Sequence, residues 1–313
     1  IIDQFGADAL RFMLATGNSP GNDLKFQLER VESSRNFANK LWNASRFVIM
    51  GLEGELSDLE GTEALTLADK WILSRLETMI AEITQALEKY ELGIAANKIY
   101  EFTWNEYCDW YIELAKKRLY GEDAVAKATV QKVLVKVLKS ILKLLHPFMP
   151  FITEEIWSFM PNVSGLLVTD QWPVAASQNN NHDAETKMTL IMDAIRNLRN
   201  VRAEMDVVPS RKAKCLIVAS DVAVGQLLVD QAEYLITLAS CSEVVLVAAS
   251  DIPEDAVSAV IHGAELFLPL DDLIDYDKEL DRLTKEKSKL EKEVERVTSK
   301  LANQGFVSKA PAH

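Results

Sequence analysis

Residues able to hold a metal or act as a nucleophile are scarce in this 313-residue sequence. Its three cysteines, Cys108, Cys215 and Cys241, lie far apart and form no CxxC or Cys/His spacing. That excludes a thiolate metal module and a disulfide framework, and predicts buried, reduced thiols. The four histidines stand apart from one another. His146 precedes Pro147 in an apolar run and reads as structural, while His182 falls in a polar stretch and His313 at the terminus. No P-loop, glycine-rich dinucleotide turn, nucleophile elbow or HExxH is present, so no catalytic residue, metal ligand or cofactor site is assigned. No apolar run approaches the ~18 residues of a membrane span, and no signal peptide opens the chain, which predicts a cytoplasmic protein without membrane contact. An excess of basic residues is lacking too. Lys and Arg number 34 against 47 Asp and Glu, a net charge of −13. A generally basic nucleic-acid coat is thereby excluded, and any such contact must be a local patch on an acidic body.

What is present is an ordinary globular composition, 48% hydrophobic and 26% charged, at a length that suggests about two domains. Ile1-Ile2-Asp3-Gln4-Phe5 reads as the middle of a fold, so a fragment of a longer chain is expected. Helical patterns run over Asp8–Thr16, about Gln27–Met50, Thr66–Tyr90, Ile94–Leu119, Ala124–Leu145 and, more briefly, Thr153–Phe159. Thr66 with Asp69 three residues on has the spacing of a capping box. His146-Pro147 stops the helix before it, because proline disfavours helical geometry in the preceding residue. Gly17 to Asn22 reads as a turn and Gly51 to Gly61 as a loop. The fold class is therefore mainly α, a helical bundle.

The polar run Ala176 to Asn181 marks a boundary. Beyond it a helix is predicted over Ala184–Arg202, and strands over Ala213–Val218, Val244–Val247 and Glu265–Leu268 flank a helix near Val224–Leu238, a small α+β module. Tyr276, Leu280, Leu283, Lys287, Leu290, Val294, Val297 and Leu301 then alternate spacings of four and three, the heptad pattern of a coiled-coil helix interrupted by one lysine. The predicted domains are 1–27, 28–176, 183–272 and 273–313. A lone amphipathic helix cannot bury its own stripe, so the 276–301 strand is expected to take a partner helix or to self-associate.

Four basic features remain. On the first long helix Arg35, Asn39, Asn43 and Arg46 fall within an arc of roughly 80°, opposite Phe37, Leu41, Ala44 and Val48, with Trp42 at the rim and Lys40 further around. Arg and Asn carry the forked and amide donors that read phosphates and base edges, and a nearby aromatic allows base stacking; a solvated helix face has the same pattern. Lys132, Lys136, Lys139 and Lys143 form a one-sided stripe that suits either a phosphate backbone or solubility. Arg196, Arg199, Arg202, Arg211, Lys212 and Lys214, against Glu204 and Asp206, make a local positive excess. The mixed charges of 278–300 are those of ordinary heptad flanks.

The residues also carry a resemblance. Gly6-Ala7-Asp8-Ala9-Leu10-Arg11-Phe12 resembles the segment after the lysine-rich ATP-site signature of class I aminoacyl-tRNA synthetases. Arg35 to Ala44 (RNFANKLWNA) is similar to the start of their anticodon-binding helical domain, and Leu145 to Trp157 (LHPFMPFITEEIW) to a proline-rich signature within it. Ser19 to Phe26 with Arg30-Val31-Glu32, Ile195 to Arg199 through Val208-Pro209, and the heptad helix followed by Gly305 to Pro311 resemble the valyl members. Isoleucyl relatives often end in a cysteine zinc module, which has no counterpart here.

The resemblance covers essentially the whole sequence. It implies an anticodon-binding bundle, a connector and a coiled-coil arm, with tRNA(Val) as partner. It further implies that the ATP and magnesium sites and the editing domain lie in parts of the polypeptide before Ile1. The alternatives are the same region of an isoleucyl or leucyl enzyme, and a coiled-coil interaction module that binds no RNA.

Overall fold

The structure is a computed structural model, and it describes residues 1–16, 25–54, 56–59, 64–176, 180–208, 210–273 and 276–302. The turn expected at 17–22 lies outside them. The chain divides into two compact units, Ile1–Met192 and Asp193–His313.

The first unit is a helical bundle. Its elements are α1 (Ile2–Phe5), α2 (Ala7–Thr16), α3 (Leu28–Met50), α4 (Leu67–Glu88), α5 (Leu92–Glu101), α6 (Ile112–Leu119), α7 (Ala124–Leu145) and α8 (Pro150–Trp157). α9 (His182–Glu204) starts in this unit and ends in the next. Each long helix buries one apolar face. α7 hides Val130, Val133, Leu134, Val137, Leu138, Ile141 and Leu145, all without measurable exposure. Asp123 caps α7 through the backbone N–H groups of Val125 and Ala126, so the sequence sets both its ends. Between α5 and α6 the helix widens to π-helical hydrogen bonding over Phe102–Tyr111, which sequence periodicity did not reveal. This stretch carries Tyr107, whose hydroxyl donates to the Leu134 carbonyl at 3.0 Å, and Tyr111.

The capping box of α4 forms as its spacing predicts. Its Asp69 does more than cap. Wholly buried, it accepts from the Tyr111 hydroxyl at 2.6 Å and from both terminal nitrogens of Arg118 at 2.7 Å. Burial alone would raise the carboxyl's pKa; the hydrogen bonds and charge of Arg118 outweigh it and hold the group below its usual range.

The second unit holds a mixed four-stranded sheet of order β2-β1-β4-β3, from β1 (Ala213–Ala219), β2 (Cys241–Leu246), β3 (Val257–Ile261) and β4 (Ala264–Leu268). β1 and β2 are parallel and need a crossover. The single helix expected there is two, α10 (Val222–Asp230) and α11 (Ala232–Leu238), broken at Gln231. β3 was not predicted; it is the antiparallel edge partner of β4 through a two-residue turn, His262-Gly263. Gly263 has φ +80°, and a Cβ there would lie 2.9 Å from the Val224 side chain, so glycine is required. Its carbonyl accepts from the backbone N–H of Ser220 and of Asp221. α12 (Leu270–Leu273) and α13 (Tyr276–Ala302) follow, and α13 leaves Leu290, Val294 and Val297 exposed. Cys108, Cys215 and Cys241 are free and buried.

Candidate nucleic-acid interface

The joint that positions the candidate face is made by two of the quoted motifs. The Asp8 carboxylate accepts from the backbone N–H of Phe151 (3.3 Å) and Ile152 (2.7 Å), capping the start of α8. Arg11 donates to the carbonyls of Phe148 (3.2 Å) and Pro147 (3.0 Å). His146 meets the Thr153 hydroxyl at 2.8 Å within the same turn. From the third motif, Phe37 packs between Phe12 (5.1 Å) and Tyr100 (4.9 Å), fixing the buried face of α3.

With that face buried, the opposite one is presented along two adjoining hollows. One, of about 450 Å³, is lined by Phe5, Asp8, Arg35, Asn39, Trp42 and Phe151 among others. The other, of about 180 Å³, is lined by Trp42, Ser45, Arg46, Met50, Ile156 and Phe159 among others. Trp42, 39% exposed, stands in both. Asn39, Asn43 and Arg46 are exposed, and Arg46 makes no ion pair among the described residues. Arg35 is half-buried; it pairs with Glu32 at 2.9 Å and lies over the Phe5 ring at 5.4 Å. Lys40 points elsewhere, ion-paired with Asp109 and 4.1 Å above the Trp104 ring. The sequence reading missed Phe5, Phe151 and Phe159. They come from α1, α8 and the turn after α8; Phe5 packs against the cluster of Ala9, Met13 and Val31, and the Asp8 cap and Arg11 tie the start of α8 to α2.

The α7 lysines are placed differently from an open stripe. Lys132, Lys136, Lys139 and Lys143 are each half-buried and line a hollow completed by Leu56, Ser57, Asp58, Leu59, Asn162 and Pro173. In the second unit the basic residues do not converge. Arg202 is buried and donates to the carbonyls of Val208 (3.4 Å) and Arg211 (2.5 Å). Arg211 donates to the Asp271 carbonyl at 3.1 Å, Arg199 to that of Leu238 at 2.6 Å. Arg196 pairs with Asp193 at 2.9 Å and Lys214 with Glu243 at 3.4 Å, while Lys212 is exposed. Among the described residues no group of His, Cys, Asp and Glu could hold a metal ion, and no helix is long and apolar enough to cross a membrane.

A bundle with an exposed aromatic and amide-bearing helix face suits recognition of unpaired nucleotides, and the comparisons agree on the class. Residues 69–217 match the family described as the anticodon-binding domain of tRNA ligase, and residues 275–313 match the valyl tRNA synthetase tRNA binding arm. The valine–tRNA ligase of Clostridium perfringens is 54% identical over 313 residues, covering 99% of this chain and 36% of that protein. Those of Clostridium acetobutylicum and Carboxydothermus hydrogenoformans are 52% and 48% identical, with 99% and 100% of this chain and 35% of each relative covered. The chain belongs to the valine–tRNA ligase family and corresponds to its anticodon-binding and arm region. It spans about a third of the length of the curated relatives it matches.

Proposed function

We propose that the chain is the tRNA-recognition region of a cytoplasmic valine–tRNA ligase, a class I enzyme. The whole enzyme attaches valine to tRNA(Val) with ATP and magnesium and hydrolyses mischarged threonine. Catalysis and editing belong to other domains of the same polypeptide. Residues 28–176 form the anticodon-binding bundle, 183–272 the connector and 273–313 the arm, with 1–27 the end of the preceding region. The observation that carries this reading is the α3 face, where Arg35, Asn39 and Arg46 line the two hollows with Trp42 and Asn43 is exposed. An arginine offers forked donors and an indole a stacking surface, the pair of features that grips splayed-out loop bases. Lys40, held between Asp109 and Trp104, marks the edge of that face. The exposed Arg196, Arg199, Lys212 and Lys214 are candidates for tRNA backbone, with Arg202 and Arg211 holding the connector they stand on. α13 is a coiled-coil helix whose stripe is covered by a partner helix or a second copy, bracing the tRNA body.

Filter binding of tRNA(Val) to the chain and to Arg46→Ala tests this. The substitution removes an exposed side chain, so it is expected to cost about 1–3 kcal/mol of binding and to leave the unfolding midpoint unchanged. Unchanged affinity, or a loss of stability equal to the loss of binding, would remove α3 from the interface.

A further inference from the structure

Two of the three cysteines meet in the second unit. Cys215 lies in β1 and Cys241 opens β2, the parallel strand beside it, and both are buried. Ala213 stands opposite Cys241; a register shift follows, so that Lys214 faces Glu243 and Cys215 faces Val244. This bulge leaves Ser242 and Glu243 both exposed and keeps Cys241 and Val244 on the buried face. Across from Cys241, β1 offers only the methyl group of Ala213, and the Cys241 thiol hydrogen-bonds to that of Cys215 further along the strand. The ladder closes loosely at this end, where the Ala213 N–H reaches the Ser240 carbonyl at 3.4 Å. A cation stands nearby. Arg202 is buried, directs Nη2 to the Val208 and Arg211 carbonyls, and keeps Nη1 without a hydrogen-bond partner among the described residues. The bond from Cys215 holds the Cys241 thiol below its ordinary pKa against burial, and the charge of Arg202 acts in the same direction. That same bond, with burial, pushes the Cys215 thiol up. Cys108 is different: burial raises its thiol to about 12. One thiol is thus disposed to ionise, and a second lies against it.

We propose that Cys241 and Cys215 form a peroxide-sensitive pair, Cys241 attacking and Cys215 resolving, which closes into a reversible disulfide between β1 and β2. The Cys241 thiolate attacks one oxygen of hydrogen peroxide and the O–O bond breaks. Hydroxide departs, takes up the proton that Cys241 released and leaves as water, with a sulfenic acid remaining on Cys241. The Cys215 sulfur then attacks the Cys241 sulfur; the S–O bond breaks, and the oxygen leaves with the Cys215 proton as a second water. Two thiols are oxidised and one peroxide is reduced to two waters. Arg202 supplies the positive charge that favours the thiolate. Closing the bond draws the start of β2 along β1, a shift that the bulge and the long Ala213–Ser240 contact permit. The pair belongs wholly to the second unit and is independent of the RNA-binding reading of α3.

Peptide mapping by mass spectrometry tests it, on the folded 313-residue chain exposed briefly to hydrogen peroxide and then unfolded with N-ethylmaleimide to block the remaining thiols. Cleavage after Glu233 separates the two cysteines. A Cys215–Cys241 linkage is expected, reversed by dithiothreitol, with Cys108 recovered as the blocked thiol. Exposure alone would favour Cys108, 8% exposed against 1% for Cys241; Cys241 should nevertheless react at least about tenfold faster, because the thiolate is the nucleophile. In Cys215→Ser the sulfenic acid should persist on Cys241 and be trapped by dimedone, while Cys241→Ser should leave Cys215 unlabelled. The map of the unsubstituted chain decides the matter even if a serine variant folds poorly. Oxidation of Cys108 as fast as Cys241, dimedone on Cys215 in Cys241→Ser, or conversion of Cys241 to a sulfinic acid without linkage would overturn the proposal. So would a linkage found only between separate molecules.

Discussion

Replacing Asp69 by alanine tests the packing of the bundle where it is most concentrated. The carboxylate has no solvent exposure and receives the Thr66 N–H at 2.9 Å, the Thr66 hydroxyl at 2.8 Å, the Tyr111 hydroxyl and both ends of the Arg118 fork. Alanine removes the α4 capping box and leaves Arg118, itself largely covered, without its buried counter-charge. Loss of one partner of such a pair costs about 3–5 kcal/mol. For a unit of this size that corresponds to a fall of roughly 6–20 °C in midpoint. All six tryptophans lie between residues 42 and 172, so selectively excited tryptophan fluorescence during thermal or urea unfolding reads the first unit alone. Adding Arg118→Met to the alanine variant should recover part of the loss, since the guanidinium deprived of Asp69 goes with it. A cost under about 1 kcal/mol for Asp69→Ala would refute the reasoning, placing the pair in an effectively solvated site. The sign with pH follows from the depressed pKa. The stabilisation is fully present above the unfolded carboxylate value of about 3.9 and is lost as pH falls through the lower folded value. Asp69→Ala should therefore flatten the acid limb of the stability curve.

Three further outcomes are expected. Asp8→Ala removes the acceptor for the Phe151 and Ile152 N–H groups and should destabilise the first unit by about 1–2 kcal/mol, read by the same fluorescence assay. It should also weaken tRNA binding, because Phe151 loses its anchor beside α3; intact tRNA affinity would mean that the first hollow is not part of the interface. For α13, sedimentation across a wide concentration range should show self-association that disappears when residues 276–313 are removed, since Leu290, Val294 and Val297 are exposed. A chain that stays monomeric, with strongly protected amides over 284–298, would contradict it.

Elements whose ends are written locally were legible in the sequence. α7 begins and ends where Asp123 and the His146-Pro147 step place it, and the Thr66–Asp69 box forms as spaced. What local pattern does not encode was missed. The π-helical turn at Phe102–Tyr111 keeps an apolar periodicity close to that of an α-helix. β3 is a five-residue edge strand whose alternation, Val257, Ala259 and Ile261 inward, has meaning only beside β4. At the candidate site, the α3 arc followed from helical geometry, whereas its neighbours Phe5, Phe151 and Phe159 depend on how α1 and α8 pack against α2 and α3. The α7 lysines share one face in sequence, but only the packing of Leu56–Leu59, Asn162 and Pro173 turns that face into the side of a hollow. Charge likewise says nothing of Arg202's environment, because the carbonyls it holds lie in the following turn.

The central claim is that this chain recognises tRNA(Val) through nucleotides presented to α3. It is tested most directly by filter binding to purified valine and isoleucine tRNAs, and to tRNA(Val) with a substituted anticodon, over a range of salt. The account predicts that tRNA(Val) binds tightest and that affinity falls linearly in log–log with salt. It also predicts that the anticodon substitution alone costs about 1–3 kcal/mol or more. Equal affinity for all three RNAs would contradict it.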